Sequence, residues 1–205
     1  MIVIIDYGMG NLGTVAAKIK KINPAVIVSS LETDIENADK LVLPGVGSFK
    51  AAMDNLEFRG LIPVLCRQVI KNKVPILGIC LGMQLFSCHS EEGDSKGLGW
   101  IDADTVRFRF SDTQNPLPIP HMGWNTVHFT REIPLLKGIE NDKCFYFTHS
   151  YHISVQHADN ACALTEYGYE FCSIINHQNI TGVQFHPERS HKNGLALLSN
   201  FVRGE

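Results

Sequence analysis

One cysteine of the chain stands in a setting that could make it a nucleophile. Cys80 lies between two glycines in the pattern Gly-x-Cys-x-Gly. An apolar run predicts a strand over residues 74–79, and a second apolar run predicts a helix over residues 81–88. A strand, a sharp turn at the nucleophile and a helix make up a nucleophile elbow, in which the glycines avoid clashes. We therefore expect a thiolate at Cys80, stabilised by the helix N-terminus, with the Leu81 N–H placed to receive an oxyanion.

A histidine and a glutamate near the C-terminus could complete this site. His186 follows an apolar strand predicted over residues 180–185, and Glu188 comes two residues later, after Pro187. The proline holds an extended backbone, so the two side chains can lie on the same side. A carboxylate bonded to one imidazole nitrogen fixes the tautomer and leaves the other nitrogen free to deprotonate a thiol. Cys80, His186 and Glu188 together predict a catalytic triad for acyl transfer.

The elements that must position these groups alternate between strand and helix in the first half of the chain. Strands are predicted over residues 2–5, 25–30, 40–43 and 74–79, with helical spacing over 14–22 and 61–69. Such alternation is typical of βαβ units around a parallel sheet. From about residue 98 the pattern changes to half-polar strands, and a helix is predicted over residues 194–202. We expect an α/β fold, a three-layer sandwich with a mostly parallel central sheet and an antiparallel extension.

Length and charge exclude several classes of protein. The 205 residues suit one domain, residues 1–205, and no linker divides them. With 18 basic and 21 acidic residues the net charge is −3, which does not favour binding to nucleic acid. No apolar stretch is long enough for a membrane span, and Asp6 interrupts the apolar start too early for a signal peptide. We expect a cytoplasmic protein that binds neither membrane nor nucleic acid.

The remaining cysteines and histidines do not indicate a metal site. The six cysteines include no Cys-x-x-Cys pair, so reduced thiols are the better interpretation. His149 and His152 are three residues apart at a predicted strand end, which is a weak pattern for metal binding. No His-Glu-x-x-His sequence is present. The sequence therefore predicts neither a metal nor a cofactor.

A glycine motif near the N-terminus supports a different function. Gly8, Gly10 and Gly13 match the Gly-x-Gly-x-x-Gly pattern after a strand and before a helix. In a dinucleotide-binding unit such glycines let a pyrophosphate approach the helix N-terminus, and an acid about 20 residues further on binds the ribose. Glu32 stands near that place but beyond the end of the second strand. A dinucleotide-binding module is thus an alternative to the triad enzyme, and a cysteine hydrolase without a partner is another.

The motifs around the triad resemble those of the triad (class I) glutamine amidotransferases. Two segments show this resemblance: Gly-Ile-Cys-Leu-Gly-Met-Gln at residues 78–84 and Gln-Phe-His-Pro-Glu at residues 184–188. Four further segments, at residues 6–12, 44–49, 120–125 and 147–151, are similar to the glutaminase subunits of imidazole glycerol phosphate synthase. The resemblance extends over essentially the whole chain.

The resemblance implies a role for each matching residue. Cys80 would attack the side-chain amide of glutamine and form a γ-glutamyl thioester, with His186 moving the proton and Glu188 orienting His186. The amides of Leu81 and of the loop that contains Gly47 would form the oxyanion hole. The positions that match glutamine-binding residues of the family are Gln84, Glu92, Ser150 and Tyr151.

The resemblance also implies a partner, because the chain contains no region that could use ammonia. It would be the (β/α)8-barrel cyclase subunit of the histidine pathway, which receives ammonia through an internal channel in a heterodimer. An alternative is a paralogous glutaminase that supplies a synthase for the amidation of surface sugars. The residues expected at the partner interface are Asn11, Met122, Trp124 and Tyr146.

Overall fold

The computed structural model describes residues 1–110 and 117–204, and its strands form one extended sheet. The strands in this part of the chain are β1 (Ile2–Ile5), β2 (Val26–Ser29), β3 (Lys40–Gly45), β4 (Ile76–Cys80), β5 (His89–Ser90), β6 (Ser95–Lys96), β7 (Ala103–Arg107), β8 (His121–Phe129), β9 (Lys143–His149), β10 (Tyr151–Val155), β11 (Ala161–Glu166), β12 (Glu170–His177) and β13 (Ile180–Val183).

Helices of very different length connect and cover these strands. Several are only one or two turns long, and α4 continues into a π-helical turn at Arg67–Lys71. The α-helices of the described residues are α1 (Leu12–Lys20), α2 (Glu32–Glu36), α3 (Phe49–Phe58), α4 (Leu61–Cys66), α5 (Leu81–Gln84) and α6 (His191–Arg203).

The centre of the sheet is parallel, in the order β2-β1-β3-β4-β13. Since parallel strands end at the same edge, the last residue of β4, Cys80, and the segment after β13 lie close together. The rest of the sheet is a mainly antiparallel extension: β12 pairs with β13, and β10 and β11 each pair with β12, whereas the short β5 pairs in parallel with β7. Strand β11 then leads to β8 and β9. The predicted parallel centre and antiparallel extension are both confirmed.

Two apolar cores lie on opposite faces of this sheet and make three layers. Ile2 and Ile4 of β1 pack with α1 and α6 on one face. Val3 and Ile5, which point the other way because side chains alternate along a strand, pack with α2, α3 and α4. Four consecutive buried residues in β1 are what a strand covered on both faces requires. This is the predicted three-layer α/β architecture.

The helix predicted over residues 81–88 is wrong in length, because α5 ends at Gln84. Beyond that point the backbone bonds to a distant segment: Leu98 donates to the carbonyl of Leu85, Trp100 to that of Phe86, and Cys88 to that of Ala103. These bonds replace the ones that would continue the helix. The described residues contain no helix with the length and apolar character needed to cross a membrane.

Candidate active site

Cys80 occupies the turn between β4 and α5 in a strained backbone conformation. Its φ of 54° and ψ of −111° lie outside the regions that residues other than glycine favour. The turn leaves no space beside it: a Cβ at Gly82 would lie 1.7 Å from the carbonyl oxygen of Leu43, and one at Gly78 would lie 2.7 Å from the backbone nitrogen of Met83. The glycines on both sides of Cys80 are therefore needed to form the predicted elbow.

His186 and Glu188 come together as predicted, but the extended backbone expected at Pro187 is wrong. His186 is followed by a 3-10 turn at Pro187–Arg189, which places its Nδ1 2.8 Å from Glu188 Oε1. Both side chains are almost fully buried. Burial disfavours the imidazolium, but the charges of Cys80 and Glu188 outweigh burial and raise the pKa of His186 to about 10. His186 Nε2 is buried and has no hydrogen-bond partner in the described structure, so it is available to exchange a proton with Cys80.

Ser190 anchors this turn, and sequence reasoning does not identify it. Its Oγ donates to the carbonyl oxygen of His186 at 2.6 Å and accepts from the N–H of Tyr146 at 3.0 Å. The N–H of His186 donates in turn to the carbonyl oxygen of Tyr146 at 2.8 Å. The three bonds fix the backbone of His186 against β9, and the bond of Nδ1 to Glu188 orients its ring.

A pocket of about 250 Å³ opens onto Cys80 and His186. A larger open groove of about 740 Å³ along residues 129–141 includes none of the predicted site residues. The predicted site residues Gly47, Leu81, Gln84, Glu92, Ser150 and Tyr151 all line the smaller pocket, together with Val46, Pro120, Thr148 and His149.

Glu92 is the acid among the predicted glutamine-binding residues, and it lines this pocket. Glu92 is partly buried, and its Oε2 accepts the N–H of Phe49 at 2.8 Å. This bond connects the loop of Glu92 to the start of α3 and fixes the position of the carboxylate. The position suits an interaction with the α-ammonium group of an amino-acid substrate.

The predicted oxyanion loop approaches Cys80 from β3. Gly47 has a φ of 122°, which a side chain would strain, and a Cβ there would lie 2.5 Å from Met9 Cε. Tyr7 fixes the start of this loop by donating its hydroxyl to the carbonyl of Pro44 at 2.9 Å. Burial raises the pKa of Tyr7 further above its usual value, so the hydroxyl stays a donor. The loop can thus present a backbone N–H opposite that of Leu81.

Two buried histidines support the pocket wall, and sequence reasoning does not pair them. His149 Nδ1 lies 2.8 Å from the carbonyl oxygen of Tyr151, so Nδ1 carries the proton and Nε2 must accept. His121 Nδ1, 3.0 Å from that Nε2, therefore donates, and its own Nε2 accepts from Asn125 at 3.2 Å. Burial lowers the pKa of His121 to about 4 and that of His149 well below its usual value. Both rings are neutral donors and acceptors in a fixed chain.

Two buried histidines, His121 and His152, predict a loss of stability in mild acid. His121 and His152 have pKa values lowered by burial to about 4, whereas in the unfolded chain they titrate near 6.5. Below about pH 6.5 the unfolded state binds more protons, so the free energy of unfolding falls by about 2 kcal/mol per histidine from pH 7 to 5. Urea unfolding at both pH values measures the fall. His152→Gln, whose amide oxygen keeps an acceptor for the hydroxyl of Tyr169, should reduce the slope, and an unchanged slope would contradict the assignment.

Three of the four residues predicted for a partner interface lie on the paired strands β8 and β9. Trp124 of β8 is directly opposite Tyr146 of β9, and its ring stacks on His191 with centroids 5.0 Å apart. Met122 is 63% exposed and Trp124 is 48% exposed. Asn11, before α1, is half-buried and its Oδ1 accepts from Thr14. An exposed tryptophan and methionine on one strand are typical of a binding surface.

The N-terminal glycines allow close packing of the chain, which differs from the pyrophosphate binding expected in a dinucleotide-binding module. A Cβ at Gly10 would lie 3.1 Å from the carbonyl oxygen of Pro44, so this glycine allows the loop to pack against the oxyanion segment. Glu32, the acid expected to bind a ribose, is ion-paired with Arg67 at 2.8 Å. Within residues 1–110 and 117–204 no group of three or more acidic, histidine or cysteine side chains is arranged to hold a metal ion.

Comparison with known proteins gives the family of this site. The family model described as "Glutamine amidotransferase class-I" matches residues 3–204 of the chain. A relative from Methanococcus maripaludis, named imidazole glycerol phosphate synthase subunit HisH 2, is 48% identical over 203 residues, which is 99% of each chain. A protein of the same name from Pseudomonas aeruginosa is 45% identical over 98% of each chain.

A solved structure agrees at the level of the fold. The glutaminase domain of a CTPS from Trypanosoma brucei superposes with a TM-score of 0.69 at 14% identity, covering 100% of this chain and 94% of that one. The dinucleotide-binding alternative is not favoured by any of these likenesses. The chain belongs to the class-I glutamine amidotransferase family, in the group of imidazole glycerol phosphate synthase subunits HisH.

Proposed function

We propose that Cys80 hydrolyses glutamine to glutamate and ammonia with His186 and Glu188 as its catalytic partners. The observation that carries this proposal is the buried His186–Glu188 pair: His186 lines the same 250 Å³ pocket as Cys80, and its Nε2 has no other hydrogen-bond partner in the described residues. His186 takes the thiol proton, and the thiolate attacks the δ-carbon of the glutamine side chain. Glu188 holds the imidazolium that forms.

The reaction then proceeds through two tetrahedral intermediates. The N–H of Leu81 and one from the loop of Gly47 bind the oxyanion of the first, and His186 returns its proton to the leaving nitrogen, which departs as ammonia. A water molecule, deprotonated by His186, attacks the thioester. The carbon–sulfur bond breaks and releases glutamate, and Cys80 regains its proton.

The pocket wall is suited to hold the amino-acid part of glutamine. Both N–H groups of Gln84 are taken, by the carbonyl of Tyr151 at 2.8 Å and by Gln184 at 3.0 Å, so it offers only an acceptor to the substrate. An acceptor from Gln84 and the carboxylate of Glu92 fit an α-ammonium group. Ser150 and Tyr151 line the same pocket.

The ammonia is passed to a cyclase subunit with a (β/α)8-barrel fold, which completes imidazole glycerol phosphate in histidine biosynthesis. Supporting this, the relatives with 45–48% identity carry the name of a synthase subunit, which requires a second subunit. Residues 1–205 act as a single glutaminase domain. The cyclase binds over the face around Met122, Trp124 and Tyr146, with Asn11 at its edge.

The test is glutamate release from glutamine, measured with and without the barrel cyclase of the same organism and its nucleotide ligand. We expect strong stimulation by the loaded cyclase and formation of imidazole glycerol phosphate. If glutamate release is stimulated only by a sugar-amidating synthase, the glutaminase activity is supported, but the ammonia acceptor is that synthase and not the cyclase. Release of glutamate at the full rate without any partner would overturn the proposed complex.

The interface proposal predicts weaker binding after removal of the exposed tryptophan. Truncation of a central aromatic residue typically weakens an interface by roughly ten- to a hundredfold. We therefore expect Trp124→Ala to raise the Kd for the cyclase by at least about tenfold, measured by calorimetry. Ile70→Ala is the matched control, since Ile70 is 39% exposed but lies in the π-helical turn that precedes β4 and not on β8 or β9. Equal Kd values for Trp124→Ala and the unmodified chain would exclude this face.

A further inference from the structure

Gln184 lies against the sulfur of Cys80 and has no role in the triad. It follows β13, two residues before His186, and its side chain is fully buried. Its Nε2 lies 3.6 Å from Cys80 Sγ, within reach of a hydrogen bond to sulfur. Its backbone N–H donates to the carbonyl of Ser173 at 2.9 Å, which fixes the main chain at this point.

The orientation of the Gln184 amide follows from its neighbours. The carbonyl oxygen of Tyr151 can only accept, so the group of Gln84 that faces it at 2.8 Å must be the NH2. The same NH2 faces Gln184 at 3.0 Å, so Gln184 presents its oxygen there. Its own NH2 must then face the sulfur. The chain of bonds leaves no freedom for the amide to be reversed.

A second neighbour of the sulfur, a backbone group, acts in the opposite direction to Gln184. The carbonyl oxygen of Thr148 lies 3.9 Å from Cys80 Sγ and can only accept, so it favours the protonated thiol. The amide of Gln184 can only donate, so it favours the thiolate. A donor that is buried and oriented in advance stabilises a developing charge without any rearrangement.

We propose that Gln184 is a further catalytic residue, which donates a hydrogen bond to the Cys80 thiolate and links it through Gln84 to the glutamine pocket. The proposal rests on Cys80 being the nucleophile. The linkage explains why Gln84 is buried between Tyr151 and Gln184: the side chain that accepts from the substrate also fixes the donor that faces the sulfur. His149, which shares the carbonyl of Tyr151, supports the same network.

The proposal predicts a slower and more alkaline reaction of Cys80 when the donor is removed. A hydrogen bond to a charged group contributes enough stability for a roughly tenfold or larger effect. In Gln184→Met, which keeps the length and shape of the side chain, alkylation of Cys80 by iodoacetamide at pH 7 should slow by roughly tenfold. The midpoint of the pH profile should rise by about one pH unit.

The experiment uses the full chain, with alkylation at Cys80 followed by peptide mass spectrometry from pH 5 to 10. Gln68→Met is the matched control: Gln68 is also a buried glutamine, but it donates to the carbonyl of Glu36 in the packing of α2. Gln184→Asn is a second variant, whose shorter amide cannot reach both Gln84 and the sulfur. It tests the proposal if the methionine variant does not fold.

The outcomes are distinct. A shifted pH midpoint in a folded Gln184 variant, with an unchanged midpoint in Gln68→Met, supports the donor role, since a loss of packing alone does not move it. An unchanged midpoint in a folded Gln184→Met or Gln184→Asn overturns it. If Cys80→Ala itself retained glutamine hydrolysis in the complex with the cyclase, the failure would lie with the proposed function and not with Gln184.

Discussion

Cys80→Ala is expected to abolish glutamine hydrolysis while external ammonia still supports synthesis by the complex. The substitution removes the sulfur that forms the thioester, and loss of a triad nucleophile typically lowers kcat by roughly 10⁴-fold or more. The fold should be preserved, because alanine can occupy the buried position at lower volume. Glutamate release and synthesis from ammonium chloride, measured on the same purified complex, separate the two activities.

A matched control for this substitution exists within the chain. Cys88 is an exposed thiol whose Sγ lies 3.5 Å from the carbonyl of Ile101, away from the residues that line the pocket. Cys88→Ala should therefore retain glutamine-dependent activity. Residual glutamine-dependent synthesis in Cys80→Ala above that of a blank would contradict the triad, and equal loss in both variants would indicate damage to the fold.

Parallel strands make the triad predictable from sequence. The carboxyl ends of β4 and β13 lie side by side, so residues that follow these two strands meet although about a hundred positions separate them. Glycines around Cys80 and a proline between His186 and Glu188 then fix the local geometry. Each of these constraints acts within a few residues, so a motif records it completely. The resemblance to a known family supplies the glutamine-contacting residues, which no local pattern defines.

The supporting contacts cannot be predicted, because they join segments that are distant in the chain. The orientation of the Gln184 amide depends on Gln84, a hundred residues away, and through it on the carbonyl of Tyr151. His121 and His149 form a neutral pair because β8 and β9 place them opposite each other and burial lowers the pKa of both. A histidine in the sequence carries no sign of the partner that will fix its tautomer.

The difference between local sequence signals and long-range contacts also explains which strands and helices are not predicted. The parallel strands contain continuous apolar runs, and their positions are predicted to within a few residues. Strands β10 and β11 are not predicted, because each contains both polar and apolar residues and is defined by its pairing with β12. Helix α3 is also not predicted, although Phe49, Ala52 and Leu56 bury one face of it. Where a strand or helix depends on its neighbours, its own residues are a weak signal.

Gly82→Ala is expected to destabilise the protein by at least about 3 kcal/mol, since no space exists for a methyl group. Its Cβ would lie 1.7 Å from the carbonyl oxygen of Leu43 and 2.8 Å from the carbonyl carbon, both part of the backbone of β3. Strand β3 pairs with β1 and β4 and cannot move away without breaking the centre of the sheet. The elbow must then open, which displaces Cys80 from His186.

Gly13→Ala provides the matched control for this prediction and also bears on the glycine motif at residues 8–13. Gly13 lies in α1, and no atom comes within 4 Å of a Cβ placed there. Alanine favours an exposed helix over glycine, so this variant should gain up to about 1 kcal/mol. Urea unfolding of both variants at one pH measures the difference. A Gly82→Ala protein as stable as Gly13→Ala would show that the elbow adapts to a side chain, and the strict requirement for glycine beside the nucleophile would be wrong.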